Sequence, residues 1–570
     1  MSPTVLVGLL ATDFTQELAP VGGSLAASAL VALLPLLVVF VLLGAFRLPA
    51  HVAALAGLVT ALLVAVLAYA MPAQLALLSA TQGAVFGVFP IMWIVASALW
   101  LFQLTVTSGR FEDLRAVFDT VSDDTRVQAV LIAFCFGGLL EALAGFGAPV
   151  AITATMLLAL GIAPLRAAGA VLLANTAPVA FGAVAIPITT AGTLTGIPAT
   201  EIAAVVGRQA PILALFVPLL LLLVVDGRRG LREVWPAALV TGFSFALAQF
   251  VTSNFLSYEL TDIVAALVGL AATVAFMKVW KPRSSDLGDE ATSGTGGSAP
   301  AAPSGDTLTT TRPQRTGGAQ LTGGRVLMAL APYLIVIVLF SVEKLVTPVT
   351  TFLGTTDRLI EWPGLNGHVI SSAGTPITST VYNFQWLSSP GTGLLVAGVL
   401  TALLYRVSLS AAVRDWVTTV VKLRFAVLTV ASVLALAYVM NQSGQTTAIG
   451  TWIAGTGAAF ALLSPVLGWI GTAVTGSDTS ANALFAKLQA TAGAKAGIDP
   501  TLLVSANTTG GVVGKMISPQ NLTIAASSAG LDGQESRILR LVLPWSLGLL
   551  AFLMVLVFLQ STPVLGWMLP

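Results

Sequence analysis

Long apolar runs recur along almost the whole chain, and they limit its fold more than any other feature. The runs are about 15 to 25 residues long, which suits helices that cross a hydrocarbon core about 30 Å thick. Membrane-spanning strands would be about 10 residues long and would alternate apolar with polar positions. Only 9% of the residues are charged, against about 25% in soluble domains. The sequence therefore predicts an all-α polytopic membrane protein with about 12–14 transmembrane helices.

The composition also argues against several kinds of partner and cofactor. A net charge of +1 provides no basic field for nucleic acid. Cys135 is the only cysteine, and the two histidines, His51 and His368, are far apart in the sequence. Neither an intramolecular disulfide nor a metal site is expected, and no cofactor is predicted.

A stretch rich in Gly, Ser, Thr and Pro at 284–320 divides the chain near its middle. Such a composition is typical of a flexible tether, although a binding role is the alternative. We therefore predict three regions, which are an N-terminal transmembrane half (1–278, with site motifs at 141–187), a flexible cytoplasmic linker (279–325) and a C-terminal transmembrane half (326–570, with site motifs at 476–520).

The distribution of basic residues predicts the orientation. Nineteen of the 26 Lys and Arg residues fall in six alternate loops, the linker included. Loops rich in Lys and Arg face the cytoplasm. Both termini are therefore predicted to lie outside, and the number of crossings to be even.

The two halves share a short pattern at an offset of 332 residues. The sequence Ala-Asn-Thr at 174–176 recurs at 506–508, and a Gly and a Pro follow each copy at the same spacing. The paired positions are Asn175 with Asn507, Gly182 with Gly514, and Pro187 with Pro519. Transporters are often built from two homologous repeats with the substrate site between them, so two such repeats are predicted. Whether they are inverted depends on the crossings between them.

These repeated stretches hold most of the charged and amide side chains that lie in apolar context. A charged group at mid-membrane costs about 2.5–3.5 kcal/mol or more, so it usually faces a cavity or a partner. The neighbouring glycines and prolines predict broken helices or re-entrant hairpins, whose N-terminal N–H groups can bind a carboxylate. The predicted substrate-binding residues are Gly145, Gly147, Asn175, Thr176, Thr479, Ser480, Asn482, Asn507, Thr508, Lys515, Ser518 and Gln520. The predicted proton-coupling residues are Glu141 and Asp478, with Arg208 as a supporting charge.

Each of these residues also has a purely structural interpretation. Glu141 could pair with Arg166 or Arg208, and Asp478 could cap the helix that follows it. Lys515 could extend its amine to an interface, and the two asparagines could join neighbouring helices by hydrogen bonds. Arg208 could be an ordinary anchor at the membrane boundary.

The sequence does not contain a complete motif of an enzyme or of an ATP-driven pump. The sequence GGVVGKM resembles a phosphate-binding loop, but Thr509 occupies the place of its first Gly and Met516 that of its Ser or Thr. Transport would then have to be driven by an ion gradient.

Several long motifs resemble the L-lactate permease family. They are LIAFCFGGLLEALAGFGAPVAITATMLLALG, LLANTAPVAFGAVAIPI, VGRQAPILALFVP, TGSDTSANALF and ANTTGGVVGKMISPQ. The resemblance covers nearly the whole chain outside 284–320. It implies import of L-lactate, glycolate and related 2-hydroxy monocarboxylates by proton symport across a bacterial-type plasma membrane. It also implies two inverted repeats with re-entrant hairpins and elevator-like movement.

A mechanism follows from the residues and the resemblance together. The substrate carboxylate would bind backbone N–H groups of 145–149 and 476–480 together with Lys515, and the amides and hydroxyls would bind the 2-hydroxyl group. Glu141 or Asp478 would carry the proton. Three rivals are a sodium-coupled carboxylate symporter, a passive anion channel and, least favoured, an intramembrane enzyme.

Overall fold

A computed structural model describes residues 13–46, 48–113, 122, 124–144, 147–282, 323–531 and 533–570. Gly145 and most of the predicted linker at 279–325 lie outside these residues.

Helices of the first half form mainly where the sequence is apolar. Ala50–Leu67, for example, contains no Asp, Glu, Lys or Arg, and it follows Pro49, whose fixed φ suits a helix start. The helices are α1 (Leu25–Ala32), α2 (Leu34–Phe40), α3 (Ala50–Leu67), α4 (Ala73–Phe86), α5 (Trp93–Thr107), α6 (Thr125–Val130), α7 (Gly137–Ala144), α8 (Ala148–Ala159), α9 (Pro164–Ala174), α10 (Gly182–Thr195), α11 (Ala199–Val251) and α12 (Thr261–Val279). The π-helical segment Leu131–Phe136 joins α6 to α7.

The second half is also mainly helical. Side-chain caps mark several of its helix starts, such as Ser389 and Ser408, each of which accepts a hydrogen bond from a backbone N–H of the first turn. The helices are α13 (Gly323–Leu345), α14 (Thr347–Thr355), α15 (Pro390–Leu404), α16 (Leu409–Lys422), α17 (Arg424–Gln442), α18 (Gln445–Ile453), α19 (Ala459–Thr475), α20 (Asp478–Ala496), α21 (Pro500–Gly514), α22 (Pro519–Ser528) and α23 (Glu535–Gln560).

The predicted multi-pass helical fold is confirmed. Among the described residues, nine helices are long and apolar enough to cross a membrane, or ten if one bent pair counts as a single span. This number is below the predicted 12–14. One element, Ala199–Leu256, has 58 residues, which is nearly three times the roughly 20 residues that a crossing needs. Its backbone turns at Gly227. Three further apolar helices have only 10–17 residues.

The described residues also contain four short strands, which were not predicted. They are β1 (Phe14–Thr15), β2 (Arg358–Glu361), β3 (Val369–Ile370) and β4 (Val381–Phe384). β1 pairs with β3 in parallel, and β2 pairs with β4 in antiparallel orientation. The described part of the N-terminal segment therefore lies beside the polar region between α13 and α15.

The repeated stretches contain the predicted helix breaks. In the first half, Pro164–Ala174 and Val179–Thr195 are bent by 60° relative to each other at the break between them. In the second half, α21 ends at Gly514 and α22 begins at Pro519, with a short 3-10 turn between them. The breaks meet because α10 packs on α20, while α8 and α9 pack on α22.

Candidate functional site

A buried ion pair between the two halves forms the centre of the candidate site. Lys515 Nζ donates to Glu141 Oε1 at 2.5 Å, and Asn175 Nδ2 donates to Glu141 Oε2 at 3.0 Å. Glu141 is 3% exposed and Lys515 is 6% exposed. Both carboxylate oxygens of Glu141 therefore have donors. The sequence alternatives that Glu141 pairs with Arg166 or Arg208, and that Lys515 extends to an interface, are wrong.

Helix ends place these three side chains together. Glu141 is on α7, Asn175 is the C-cap of α9, and Lys515 directly follows α21. In the nearby first turn of α10, Ala183, Val184 and Ala185 all have positive φ values of 46° to 59°. Left-handed backbone costs about 1–2 kcal/mol per L-residue and is found mainly where function requires it. This strain is a further indication that the helix break and the first turn of α10 take part in the function.

Asp478 is a second buried carboxylate near Lys515. It is 3% exposed, Thr472 Oγ1 donates to its Oδ1 at 3.4 Å, and its Oδ2 has no hydrogen-bond partner among the described residues. Asp478 interacts electrostatically with Lys515. Ser477 caps α20 by accepting from Ser480 N at 3.3 Å, so the capping role suggested for Asp478 is wrong.

Two glycines at helix ends lie close to the same helix, α22. Gly147 precedes α8 and Gly476 follows α19, with φ values of 85° and 78° that favour glycine. A Cβ on Gly147 would lie 2.3 Å from Ile524 Cδ1, and one on Gly476 would lie 2.5 Å from Gln520 Oε1. Ile524 and Gln520 both belong to α22. Any other residue at these two positions would be strained by the positive φ and would displace the end of a side chain on α22.

Asn482, Asn507 and Thr508 form a closed network between α20 and α21. Asn482 Oδ1 accepts from Asn507 Nδ2 at 3.1 Å and from Thr508 Oγ1 at 2.9 Å. Asn507 Oδ1 accepts from Gln489 Nε2 at 3.4 Å. Asn482, Asn507 and Thr508 are all 0% exposed. These contacts match the alternative in which an amide joins neighbouring helices.

The remaining predicted residues divide into two groups. Thr176 and Ser518 are buried and bond to backbone near them, and Ser518 caps α22. Ser480 is 4% exposed, Thr479 is half-buried and Gln520 is exposed. In the part of the chain that the structure describes, these last three side chains make no hydrogen bond to protein. They remain available to a ligand.

Arg208 lies on α11 and forms no ion pair within the described residues. It is half-buried, and its Nη1 is buried without a hydrogen-bond partner. Arg166 instead donates to Val225 O at 3.1 Å.

Three buried polar residues near the site were not predicted. Asn521 Nδ2 donates to Lys515 O at 3.1 Å, and its Oδ1 lies near Gly147. Gln249 Nε2 donates to Asp262 Oδ1 at 2.9 Å and to Ala177 O in the first helix break. An amide within the apolar run at 235–251 is a sequence signal for Gln249, whereas Asp262 follows Ser257, Glu259 and Thr261 and gives no such signal. No group of three or more His, Cys, Asp or Glu side chains in the described ranges could hold a metal ion.

The arrangement suits reversible binding of an organic anion. A buried ammonium group that is neutralised by one internal carboxylate can exchange it for the carboxylate of a ligand. Amide and hydroxyl groups lie around it.

The sequence profile of the L-lactate permease family matches residues 28–564. The chain belongs to the L-lactate permease family. The L-lactate permease of Bacillus subtilis (strain 168) is 43% identical, covering 98% of this chain and 100% of that protein. The glycolate permease GlcA of Escherichia coli (strain K12) is 40% identical, covering 96% of this chain and 98% of that protein. An L-lactate permease of Salmonella typhimurium is also 40% identical.

Solved structures resemble this permease family member only weakly. The YdaH transporter of Alcanivorax borkumensis is 17% identical with a TM-score of 0.32, covering 81% of this chain and 89% of that chain. MtrF of Neisseria gonorrhoeae is 14% identical with a TM-score of 0.31, covering 81% and 85%. Such TM-scores do not establish a shared fold.

Proposed function

We propose that the protein is a secondary active transporter that imports L-lactate and related 2-hydroxy monocarboxylates such as glycolate by proton symport. The names of its relatives support the substrate class. The observation that carries the mechanism is the buried Glu141–Lys515 pair. In this pair the carboxylate of Glu141 neutralises the ammonium group of Lys515. No bond is made or broken in the substrate, so the activity is not enzymatic.

Proton uptake and substrate binding are coupled through Lys515. A proton that binds to Glu141 removes its negative charge and releases the ammonium group of Lys515. The substrate carboxylate then pairs with Lys515, because a buried charge without a partner is costly. One proton and one monocarboxylate enter together, and the buried region keeps its charge balance.

Neighbouring groups orient the substrate. Asn175 binds the 2-hydroxyl group once its amide is released from protonated Glu141. Backbone N–H groups at the starts of α8 and α20, beside Gly147 and Ser480, add hydrogen bonds to the carboxylate. Thr479, Ser480 and Gln520 complete the polar lining, and Arg208 is a supporting charge. Asp478 is the alternative proton carrier, because one of its oxygens is unpartnered.

The domain organisation and location form part of the same proposal. Two transmembrane halves, 1–278 and 326–570, are inverted repeats with re-entrant hairpins, and they are joined by a cytoplasmic linker at 279–325. The protein lies in the plasma membrane with both termini outside. The pairing of Phe14–Thr15 with Val369–Ile370 supports placing the N-terminal segment and the region between α13 and α15 on the same side.

Uptake by purified protein in liposomes tests the proposal. We expect a pH gradient that is acid outside to drive accumulation of labelled lactate and glycolate without sodium. External labelled lactate should also exchange rapidly with internal lactate. Pyruvate and a dicarboxylate define the substrate range. Accumulation that requires sodium and ignores the pH gradient would indicate a sodium symporter. Flux that neither saturates nor exchanges would indicate a channel.

Variants of the ion pair test the assigned roles. Lys515→Ala should weaken lactate binding, whereas Lys495→Ala, on the exposed last turn of α20, is the matched control. Unchanged lactate affinity in Lys515→Ala would exclude its role on the carboxylate. Full pH-driven accumulation by Glu141→Gln would exclude Glu141 as the proton carrier and leave Asp478→Asn as the variant to examine.

A further inference from the structure

Asp262 is a buried carboxylate outside the Glu141–Lys515 pair. It lies in the first turn of α12 and is 1% exposed. Its Oδ1 accepts from Gln249 Nε2 at 2.9 Å, and its Oδ2 is buried without a hydrogen-bond partner among the residues described. A buried charged group without an ionic partner is costly. Asp262 therefore requires an explanation that packing does not supply.

Gln249 connects Asp262 to the first helix break. The same Nε2 atom donates to Ala177 O at 3.2 Å, and Ala177 is two residues beyond Asn175, which binds Glu141. The Oε1 atom of Gln249 is also buried without a partner within the described ranges. One amide thus connects a carboxylate on α12 with the backbone that carries a residue of the proposed site.

Two buried oxygen atoms at this amide and carboxylate lack a hydrogen-bond donor among the described residues. The amide oxygen Gln249 Oε1 can only accept a hydrogen bond, and Asp262 Oδ2 can only accept while Asp262 is ionised. Buried polar atoms almost always have partners. A single proton taken from solution onto Asp262 would remove its charge and supply an O–H donor.

The groups around Asp262 provide no cation to replace that proton. Glu141 on α7 interacts with Asp262 electrostatically, and its charge has the same sign. In the described part of the chain, Asp262 forms no ion pair with any titratable or charged group on the elements that pack around α12. On α11 and α13 these groups are Glu201, Arg208, Asp226, Arg228, Arg229, Arg232, Glu233, Arg325, Tyr333 and Glu343. The other packed elements contribute Glu141, Cys135, Tyr258 and Glu259, while Lys278 is at the opposite end of α12.

We propose that Asp262 binds a proton during the transport cycle, at a site separate from the Glu141–Lys515 pair, and that Gln249 links this protonation to the helix break at Ala177. A hydrogen bond to a charged acceptor is roughly twice as strong as one to a neutral acceptor. Protonation of Asp262 therefore weakens its hydrogen bond from Gln249 Nε2. The bond from the same atom to Ala177 O then becomes the stronger of the two in relative terms. The link to transport rests on the proposed function.

Infrared spectroscopy tests proton binding directly, without any substrate. The acid-minus-alkaline difference spectrum of the protein in lipid membranes should contain a carbonyl band of a protonated, buried carboxyl group. Asp262→Asn should remove this band. Thr273→Val is the matched control, because Thr273 forms a buried hydrogen bond of 2.7 Å with Thr241 between the same two helices but does not titrate. Identical spectra from the wild type and Asp262→Asn would overturn the proton site.

Lactate exchange at equal pH on both sides tests the link to transport. In Asp262→Asn, the ratio of exchange rates at about pH 6 and about pH 8 should fall at least about threefold, and Asp262→Glu should restore it. Thr273→Val should keep the wild-type ratio. A wild-type ratio in Asp262→Asn would overturn the link. If the wild type exchanges no lactate, the proposed function fails, and the infrared result still decides whether Asp262 binds a proton.

Discussion

Asn175 and Asn507 occupy matching positions in the sequence repeat but have different surroundings. Asn175 ends α9 at a helix break and donates to Glu141. Asn507 lies within α21, seven residues before its end at Gly514, and it bonds to Asn482 and Gln489. The repeated letters thus mark a common helical segment, whereas the position of the break decides which asparagine reaches the site. Four substitutions test this difference, in order of decreasing expected effect.

The largest effect is expected from Lys515→Met, which removes the cation next to Asn175 and leaves the Asn507 network intact. Glu141 would be left as an uncompensated buried charge, which costs about 3–5 kcal/mol of folding free energy. Thermal unfolding in detergent should show the loss, and adding Glu141→Gln should recover part of it. Wild-type stability of Lys515→Met would contradict the ion pair.

Asn507→Ala should be the second most destabilising change. It leaves Gln489 and Asn482 each without one buried partner, at a cost of about 1–3 kcal/mol. Transport per folded molecule should change little, because no proposed substrate contact is lost. The measurement is lactate uptake normalised to the amount of folded protein. A loss of transport larger than the loss of folded protein would indicate that Asn507 binds the substrate, as the sequence predicts.

Asn175→Ala should give the opposite result. The stability loss should be about 0.5–1.5 kcal/mol, because Lys515 still holds Glu141. The KM for lactate should rise about tenfold, which corresponds to about 1.4 kcal/mol. Uptake measured over a range of lactate concentrations gives this value. If Asn175→Ala and Asn507→Ala lose transport only in proportion to folded protein, the contrast fails.

The smallest effect is expected from Asp113→Asn, far from both asparagines. Burial opposes the charged form of Asp113, but hydrogen bonds from Arg110 and Arg325 outweigh it and hold the pKa of this carboxyl below its usual value. A lowered folded pKa stabilises the fold above the unfolded pKa, and the contribution is lost as pH falls through the folded value. Asp113→Asn should cost about 0.2–1 kcal/mol at neutral pH and nothing at strongly acid pH. Equal losses at both pH values would contradict the ion pairs.

The sequence predicted the helical membrane fold and both helix breaks because apolar length, Gly and Pro act locally. It also placed Glu141, Asp478 and Lys515 in apolar surroundings, where their burial followed from the cost of charge in a membrane. It did not predict that Glu141 pairs with Lys515, because that contact joins residues 374 positions apart. Asp262 was missed because its position near a loop gave no sign that α7, α11 and α12 would enclose it.

The distance along the chain between Glu141 and Lys515 has a consequence for biosynthesis. At 5–20 residues per second, a ribosome needs about 20–75 s to add the 374 residues that separate them. During that time the chain contains no Lys515 to neutralise Glu141. The nascent chain must therefore keep this carboxyl group protonated, or keep it in water, until α21 and the residues after it have been inserted.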